Sequence, residues 1–299
     1  MSDPTVSWRE LLEGVRRRLE SAGLTDAVAD ARRIVAEAAG VSDVELALHL
    51  GEPATVGGVA RLDRMVERRA AGEPLQYVLG HWAFRSLDLM VDPRVLIPRP
   101  ETEHVVTVAL DELDRLGGTD RSTTVVDLGT GSGAIALSIA VERVRTTVWA
   151  TDLSGDALAV ARANLVGIGR PGARVRMEQG EWFSALPDDL RGTIDLVVSN
   201  PPYVPDDVEL PDEVAGWEPS TALFAGTDGL SSLRRILGDA PGWLHAAGTV
   251  VCELSPEQAD AAAEVAAERF AEVELVEDLT GRTRAVVARH PGTGQGVRG

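Results

Sequence analysis

The sequence predicts an α/β protein in which a largely parallel sheet, covered by helices on both faces and finished by an antiparallel hairpin, follows a small helical domain. Three observations carry this expectation. Between residues 123 and 254, short β-branched runs alternate with helical stretches at the spacing of parallel crossover units. Residues 7–72 show helical periodicity alone. The last two strand-like runs, 273–279 and 284–289, are separated by only Thr280-Gly281-Arg282-Thr283, which suffices for a hairpin and not for a crossover. The expected divisions are a helical, partner-docking domain over 1–72, a β-hairpin connector over 73–101, an α/β domain over 102–290 and a Gly-rich disordered tail over 291–299.

In the helical domain Leu11, Leu12, Val15 and Leu19 recur at helical spacing, as do Val28, Ala31, Ile34, Val35 and Ala38. Ser7 and Thr25 are the expected N-caps, Gly23 and Gly40 the expected stops, and a third helical segment covers 59–71. Acidic residues surround Arg16-Arg17-Arg18, so that run reads as a solvated helix face. His49 has no histidine or cysteine cluster around it in sequence, and no metal site is expected.

The connector alternates apolar and polar residues from Trp82 to Val91, as a hairpin does. It continues into Ile97-Pro98-Arg99-Pro100-Glu101-Thr102-Glu103, where two prolines stiffen the chain and Thr102 is expected to cap a helix beginning near Glu103. This arm serves either as a linker or as a wall of the active site. Beyond it the strands fall at 123–128, 147–151, 174–179, 194–199 and 249–254, with helices near 133–144, 154–167, 230–240 and 256–269. A parallel sheet so covered, with an antiparallel last pair, is the architecture of class I (Rossmann-like) methyltransferases.

Composition narrows the function classes. With 299 residues, 44% of them hydrophobic and 25% charged, the chain can build one large core and one small one. Its net charge of −18 argues against a broad phosphate-binding surface while leaving room for a local basic groove. The single cysteine, Cys252, sits in the apolar run Thr249-Val250-Val251-Cys252 and reads as a buried thiol. Met1-Ser2-Asp3-Pro4-Thr5 has no basic and apolar leader, and no run of about eighteen apolar residues occurs. A cytoplasmic monomer with no membrane partner is the expectation.

The chemistry concentrates at strand ends. The buried run 194–199 stops at Asn200-Pro201-Pro202-Tyr203, where two prolines fix the backbone so that the Asn200 side chain and the Pro201 carbonyl offer paired acceptors to one NH2 group. Tyr203 can cover a planar group held there. After the first strand comes Asp127-Leu128-Gly129-Thr130-Gly131-Ser132-Gly133, whose glycines let a ligand lie against the backbone. Asp127 adds negative charge suited to an ammonium or sulfonium. Gly129, Gly131 and Ala134 also satisfy the looser dinucleotide pattern, so this stretch alone does not separate NAD from S-adenosylmethionine. Asp152, after the second strand, stands where an acid accepts from ribose hydroxyls, and Ser154 is free to cap the helix that follows. Trp182, after the third strand, either packs on adenine or belongs to the core. The amide clamp decides for methyl transfer, since hydride transfer has no use for it.

These motifs together resemble methyltransferases that act on planar nitrogens. Gln76-Tyr77-Val78-Leu79-Gly80, Ile97-Pro98-Arg99-Pro100-Glu101-Thr102-Glu103 and Glu218-Pro219-Ser220-Thr221-Ala222-Leu223 narrow the resemblance to one family, the glutamine methyltransferases of peptide-chain release factors. The similarity spans about residues 8–290. One departure is that the family commonly has two glycines before its Asp-Gly-Leu element, whereas this chain reads Ala225-Gly226-Thr227-Asp228-Gly229-Leu230. The resemblance implies S-adenosyl-L-methionine as methyl donor and the glutamine of the Gly-Gly-Gln motif of class I release factors as acceptor. It implies Asn200, Pro201 and Tyr203 as catalytic, those three with Pro202 as substrate-binding, and Asp127, Gly129, Thr130, Gly131, Ser132, Gly133, Asp152, Trp182 and Asn200 as cofactor-binding. The alternative is a nucleic-acid methyltransferase acting on adenine N6 or guanine N2, which uses the same clamp and needs an electropositive groove. A non-catalytic adaptor would require a broken motif, and every motif is intact.

Overall fold

The computed structural model describes residues 6–117 and 120–292. Most of the expected tail, from 293, lies outside the described residues, as does the chain start through Thr5. The chain forms two compact units: Met1–His81 together with Pro211–Trp217, and Trp82–Leu210 together with Glu218–Gly299.

The first unit contains α1 (Trp8–Ser21), α2 (Ala27–Ala39), the single turn α3 (Leu46–His49), α4 (Val56–Ala70) and the short α5 (Leu75–Leu79). A reciprocal capping box fixes the start of α1: Ser7 Oγ accepts from the Glu10 amide, and the Glu10 carboxylate accepts from the Ser7 amide. The start of α2 differs from expectation. Asp26, not Thr25, is its N-cap residue, and no side chain caps that end. Gly40 closes α2 in the left-handed conformation, as expected. Apolar faces meet through Val15, Leu19, Ile34, Val35, Leu62 and Val66, all buried. Trp8 lies so close over α4 that a Cβ at Gly58 would stand 2.8 Å from its ring. Buried Arg69 donates to Asp30 Oδ2 (2.7 Å), to the Glu73 carbonyl (3.0 Å) and to Glu213 Oε1 (2.8 Å), tying α4 to α2 and to the segment 211–217. The helical turn of α5, ended by left-handed Gly80, has no signature in the sequence beyond that glycine.

From Trp82 the second unit begins with most of a two-stranded sheet, β1 (His81–Phe84) and β2 (Leu87–Met90). Asn164 holds β2 by accepting from the Met90 amide (2.7 Å) and donating to its carbonyl (3.0 Å). There follow α6 (Pro100–Arg115), β3 (Thr123–Leu128), α7 (Ala134–Glu142), β4 (Thr146–Asp152), α8 (Gly155–Gly167), β5 (Val175–Gln179) and β6 (Ile194–Ser199). The chain finishes with α9 (Ser231–Asp239), β7 (Leu244–Glu253), α10 (Ala259–Ala267), β8 (Phe270–Glu277) and β9 (Thr283–Pro291). The seven strands run in the order β5-β4-β3-β6-β7-β9-β8. The first five are parallel, whereas β9 is antiparallel to both β7 and β8.

Helices cover both faces, so each side of every central strand is buried and the strands read as unbroken apolar runs. Val125, Val148, Leu196, Val198 and Val251 face Val105, Val106, Leu113, Leu137 and Ile139. Val126, Leu128, Val197, Val250 and Cys252 face Leu233, Ile236, Leu237, Ala262 and Ala266. Burial pushes the Cys252 thiol up to about 12, which keeps it an inert core group.

A second expectation fails at the head of α6. The helix starts at Pro100 with Arg99 as N-cap residue, and Thr102 lies inside its first turn, buried, instead of capping it. Proline at N1 is preorganised for the first turn, and this moves the start three residues upstream. Thr102 is thereby free for another partner.

Among the described residues no helix is long and apolar enough to cross a membrane. None of their His, Cys, Asp and Glu residues form groups that could hold a metal ion.

Candidate active site

Strand order reverses between β3 and β6, and there the carboxyl ends of two adjacent parallel strands leave a crevice. The glycine loop leaves β3 on one side of it and Asn200-Pro201-Pro202-Tyr203 leaves β6 on the other. Asp152 ends β4, the next strand outward, and Trp182 follows β5. One sheet edge therefore gathers the glycine loop, Asp152, Trp182 and the Asn200–Tyr203 segment.

The glycine loop turns tightly because Gly129 and Thr130 both donate to the Thr151 carbonyl (2.9 Å each) and Gly133 donates back to Thr130 (2.8 Å). Gly131 has φ 56 and open space where a Cβ would stand, leaving the backbone bare to a ligand. Thr130 and Ser132 are buried in this turn, and the Ser132 carbonyl accepts from Asn164 Nδ2 (2.9 Å).

Asp127 does more local work than its charge suggested. Its Oδ2 accepts from Thr130 Oγ1 (2.6 Å) and from the Ala136 amide (3.1 Å), clasping the loop to the first turn of α7. The other oxygen, Oδ1, is buried with no hydrogen-bond partner among the described residues. Burial pushes this carboxyl up to about 7 against the pull of its two hydrogen bonds. A cationic group placed against Oδ1 relieves that cost, which is what an ammonium or sulfonium offers.

Asp152 accepts from the Gly131 amide through Oδ2 (2.9 Å) and from the Ser154 amide through Oδ1 (2.8 Å), bridging the glycine loop and the start of α8. Burial raises its carboxyl above the usual range. Ser154 Oγ caps α8, as the sequence allowed. Trp182 adopts φ 47 and is only partly buried; its ring edge stands 3.5 Å from the position of a Cβ on Gly129. It thus borders the glycine loop and also packs on the core. Its neighbour Phe183 stacks on Trp243 with centroids 5.6 Å apart.

The Asn200–Tyr203 segment is held at both ends. Ser199 Oγ donates to the Leu128 carbonyl (2.6 Å) and joins β6 to the head of the glycine loop. Asn200 Nδ2 donates to Thr102 Oγ1 (3.1 Å), and Thr102 Oγ1 donates to Glu253 Oε2 (2.7 Å). Pro201 is buried. The Tyr203 carbonyl accepts from Gln258 Nε2 (2.8 Å) and is pressed by Gly229, where a Cβ would stand only 2.3 Å away. Burial pushes the Tyr203 phenol up to about 12, helped by Glu253 and opposed by Arg99 and Arg284, so it stays neutral at physiological pH. The arm at Ile97 is fastened by the buried Glu218, which accepts from the Ile97 amide (3.1 Å) and pairs with Arg99.

Glu218 and Gly229 stand in stretches that carry the family resemblance but had no structural role assigned from sequence, Thr102 was expected to be a cap, and Glu253 and Gln258 were not singled out. Partners more than fifty residues away in the chain leave no local pattern: Glu253 meets Thr102, Gln258 meets Tyr203 and Glu218 meets Ile97.

Two family models match the chain: the PrmC N-terminal domain over residues 10–80 and the methyltransferase small domain over 108–214. The release factor glutamine methyltransferase of Cereibacter sphaeroides is 39% identical over 277 residues, covering 92% of this chain and 95% of that protein. Its counterpart in Bifidobacterium longum is 39% identical and covers 93% and 98% of the two chains. This chain belongs to the release factor glutamine methyltransferase family. Membership makes it a methyltransferase that takes S-adenosylmethionine as methyl donor. Among solved structures, a methyltransferase from Pyrococcus furiosus superposes with a TM-score of 0.51 at 19% identity, over 78% of this chain and 98% of that one. The N-terminal domain of human METTL16 does so with a TM-score of 0.50 at 16% identity, over 75% and 83%. At such identities these two likenesses speak for the fold that the glutamine methyltransferase family shares with other methyltransferases.

Proposed function

We propose that the chain methylates the side-chain amide nitrogen of the glutamine in the Gly-Gly-Gln motif of class I peptide-chain release factors, with Asn200 and Pro201 as the clamp. What supports this reading is the position of the clamp, directly across the strand-order reversal from the glycine loop. S-adenosylmethionine supplies a methyl group made electrophilic by its sulfonium. Asp127 and the backbone of Gly129–Gly133, with Thr130 and Ser132, would hold its charged portion; Asp152 would accept from the ribose hydroxyls and Trp182 would cover the adenine.

An amide nitrogen is a poor nucleophile because its lone pair is delocalised into the carbonyl. Acceptors at Asn200 Oδ1 and the Pro201 carbonyl hold both N–H bonds, turn the lone pair toward the methyl carbon and stabilise the positive charge that grows on nitrogen. Methyl transfer would form the new N–C bond from the nitrogen pair, with the S–C pair going back to the sulfur of the donor. A proton then leaves the alkylated nitrogen for solvent. Pro202 fixes the loop, the Tyr203 ring packs on the amide plane, and the arm at Ile97 to Arg99 keeps water out. The helical domain over 1–72 docks the protein substrate, and the reaction takes place in the cytoplasm, where translation ends.

Labelled methyl transfer from S-adenosylmethionine to purified release factor, beside its Gln→Ala variant, tests the assignment. Label is expected in the first alone. Equal label in both would overturn the assigned acceptor.

Two further outcomes are expected. Asp152→Ala should weaken S-adenosylmethionine binding by about 1.5–3 kcal/mol, measured by calorimetry, through loss of charge-assisted hydrogen bonds to hydroxyls. Unchanged affinity would leave Asp152 with only its role in bridging the loop and α8. Duplex DNA or structured RNA should barely inhibit methylation of release factor at physiological salt, given the charge of −18. Strong inhibition with label entering a base would move the assignment to nucleic acid.

A further inference from the structure

We propose that Thr102 and Glu253 are positioning residues for methyl transfer, which together set the end of the Asn200 carboxamide that faces the substrate nitrogen. The inference rests on the clamp assigned above and extends it to what orients the clamp.

A carboxamide is nearly symmetric in shape and opposite in chemistry at its two ends, an acceptor oxygen and a doubly donating nitrogen. Only the oxygen can hold an N–H of the substrate amide; the reversed side chain would set donors against donors. Shape alone cannot choose between these states. The choice is made by a chain of three groups. Asn200 Nδ2 donates to Thr102 Oγ1 at 3.1 Å, and the one hydroxyl proton of Thr102 goes to Glu253 Oε2 at 2.7 Å. An ionised carboxylate only accepts. It therefore takes the threonine proton, threonine meets Asn200 with a lone pair, and Asn200 must turn its nitrogen to threonine. Its Oδ1 accepts from no donor among the described residues, which leaves it for a ligand.

The fold brings the three together by register. Ser199 of β6 pairs with Cys252 of β7, so the next residues stand side by side, Asn200 just past the end of β6 and Glu253 as the last residue of β7, and the first turn of α6 delivers Thr102. Thr102 is 4% exposed and Glu253 is 3% exposed. The Glu253 carboxylate makes no ion pair among the described residues, and its one hydrogen bond there comes from Thr102. A carboxylate buried with so little compensation costs stability, so stability does not account for it.

The same network is sensitive to pH. The charged and titratable groups facing Glu253 are Glu101 and Arg99 near the head of α6, Arg284 of β9 and Tyr203 of the clamp. Burial pushes Glu253 up to about 7, against the Thr102 hydrogen bond; Glu101 adds to the rise, while Arg284 and Arg99 oppose it. Once protonated, Glu253 can donate to Thr102, the threonine proton is released toward Asn200, and the amide loses its fixed direction. The sign for stability runs the other way. Because the folded carboxyl binds its proton more tightly than the unfolded one, its contribution to stability falls as pH rises from about 4.5 to about 7.

The test is steady-state kinetics on the full chain with S-adenosylmethionine and purified release factor, for wild type, Thr102→Val, Thr102→Ser, Glu253→Gln and Asn200→Ala, each with a melting curve. Thr102→Val and Glu253→Gln should each lower kcat by about 10- to 100-fold, the usual cost of losing a group that orients a contact residue, with KM for S-adenosylmethionine little changed. Thr102→Ser keeps the hydroxyl and should restore most of the loss. The wild type should lose kcat as pH falls through about 7, and Glu253→Gln should lose that limb while melting higher than wild type at about pH 8. A variant both more stable and slower is not what a structural role produces. Near-normal kcat in folded Thr102→Val, no rescue by serine, or a wild-type kcat flat across neutral pH would each overturn the proposal. If these occur while Asn200→Ala is inactive, only the orienting network fails; if Asn200→Ala is itself active, the clamp reading fails first.

Discussion

Asn200→Ala is expected to lower kcat by about 10²–10³ while leaving S-adenosylmethionine affinity close to wild type. The lost oxygen is an acceptor for a nitrogen that becomes positively charged only as the methyl group arrives, so its value is greatest in the transition state. Although the resemblance also counts Asn200 among the cofactor-binding residues, most cofactor affinity should be kept, because the glycine loop, Asp127 and Asp152 take their order from Thr130, Ala136, Gly131 and Ser154, none of which bonds to Asn200. Single-turnover methylation of release factor, paired with calorimetry, separates the two effects. A kcat within about threefold of wild type would remove the clamp from the mechanism, since one lost transition-state contact should cost far more.

Arg69→Ala is expected to destabilise the helical unit by about 3–5 kcal/mol, the range for breaking a buried ion pair from one side. Its guanidinium is buried and serves Asp30, the Glu73 carbonyl and Glu213 at once. Asp30, with a side chain only 6% exposed, would be left as an uncompensated buried charge. Urea unfolding followed in the helical signal measures the loss. Replacing both partners with apolar residues, Arg69→Met with Asp30→Leu, should recover much of it, because the burial cost of both charges disappears together. A single-variant loss below about 1 kcal/mol would mean that Asp30 finds water or another donor.

The strands were legible because both faces of the sheet are covered, leaving β-branched runs such as Thr123-Thr124-Val125-Val126 with no polar alternation to confuse them. The exception is the first half of β7. His245-Ala246-Ala247-Gly248 lacks strand character, and the pairing with β6 shifts register there, so only 249–254 stood out. Helix starts were harder. Ser7 was readable since its capping box is local, whereas Thr25 and Thr102 looked like caps and are not: no side chain caps α2, and Pro100 had already begun α6. At the site, the residues expected to touch ligands were legible because glycine loops and Asn-Pro-Pro-Tyr are contiguous. The groups that hold them were not. Glu253 reads as the polar end of a strand and Gln258 as a helix-start residue until the sheet register and the close packing of Gly229 bring them to Thr102 and to the Tyr203 carbonyl.

The segment Pro211–Trp217 belongs to the helical unit although it lies in the middle of the catalytic sequence. The helical unit is therefore not a module that can be cut away at one peptide bond. A chimera that exchanges residues 1–81 between relatives while leaving 211–217 behind would set the Arg69 of one lineage against the position-213 residue of another. Substitutions in the two stretches should accordingly be inherited together, and domain swaps should succeed only when both travel as a pair.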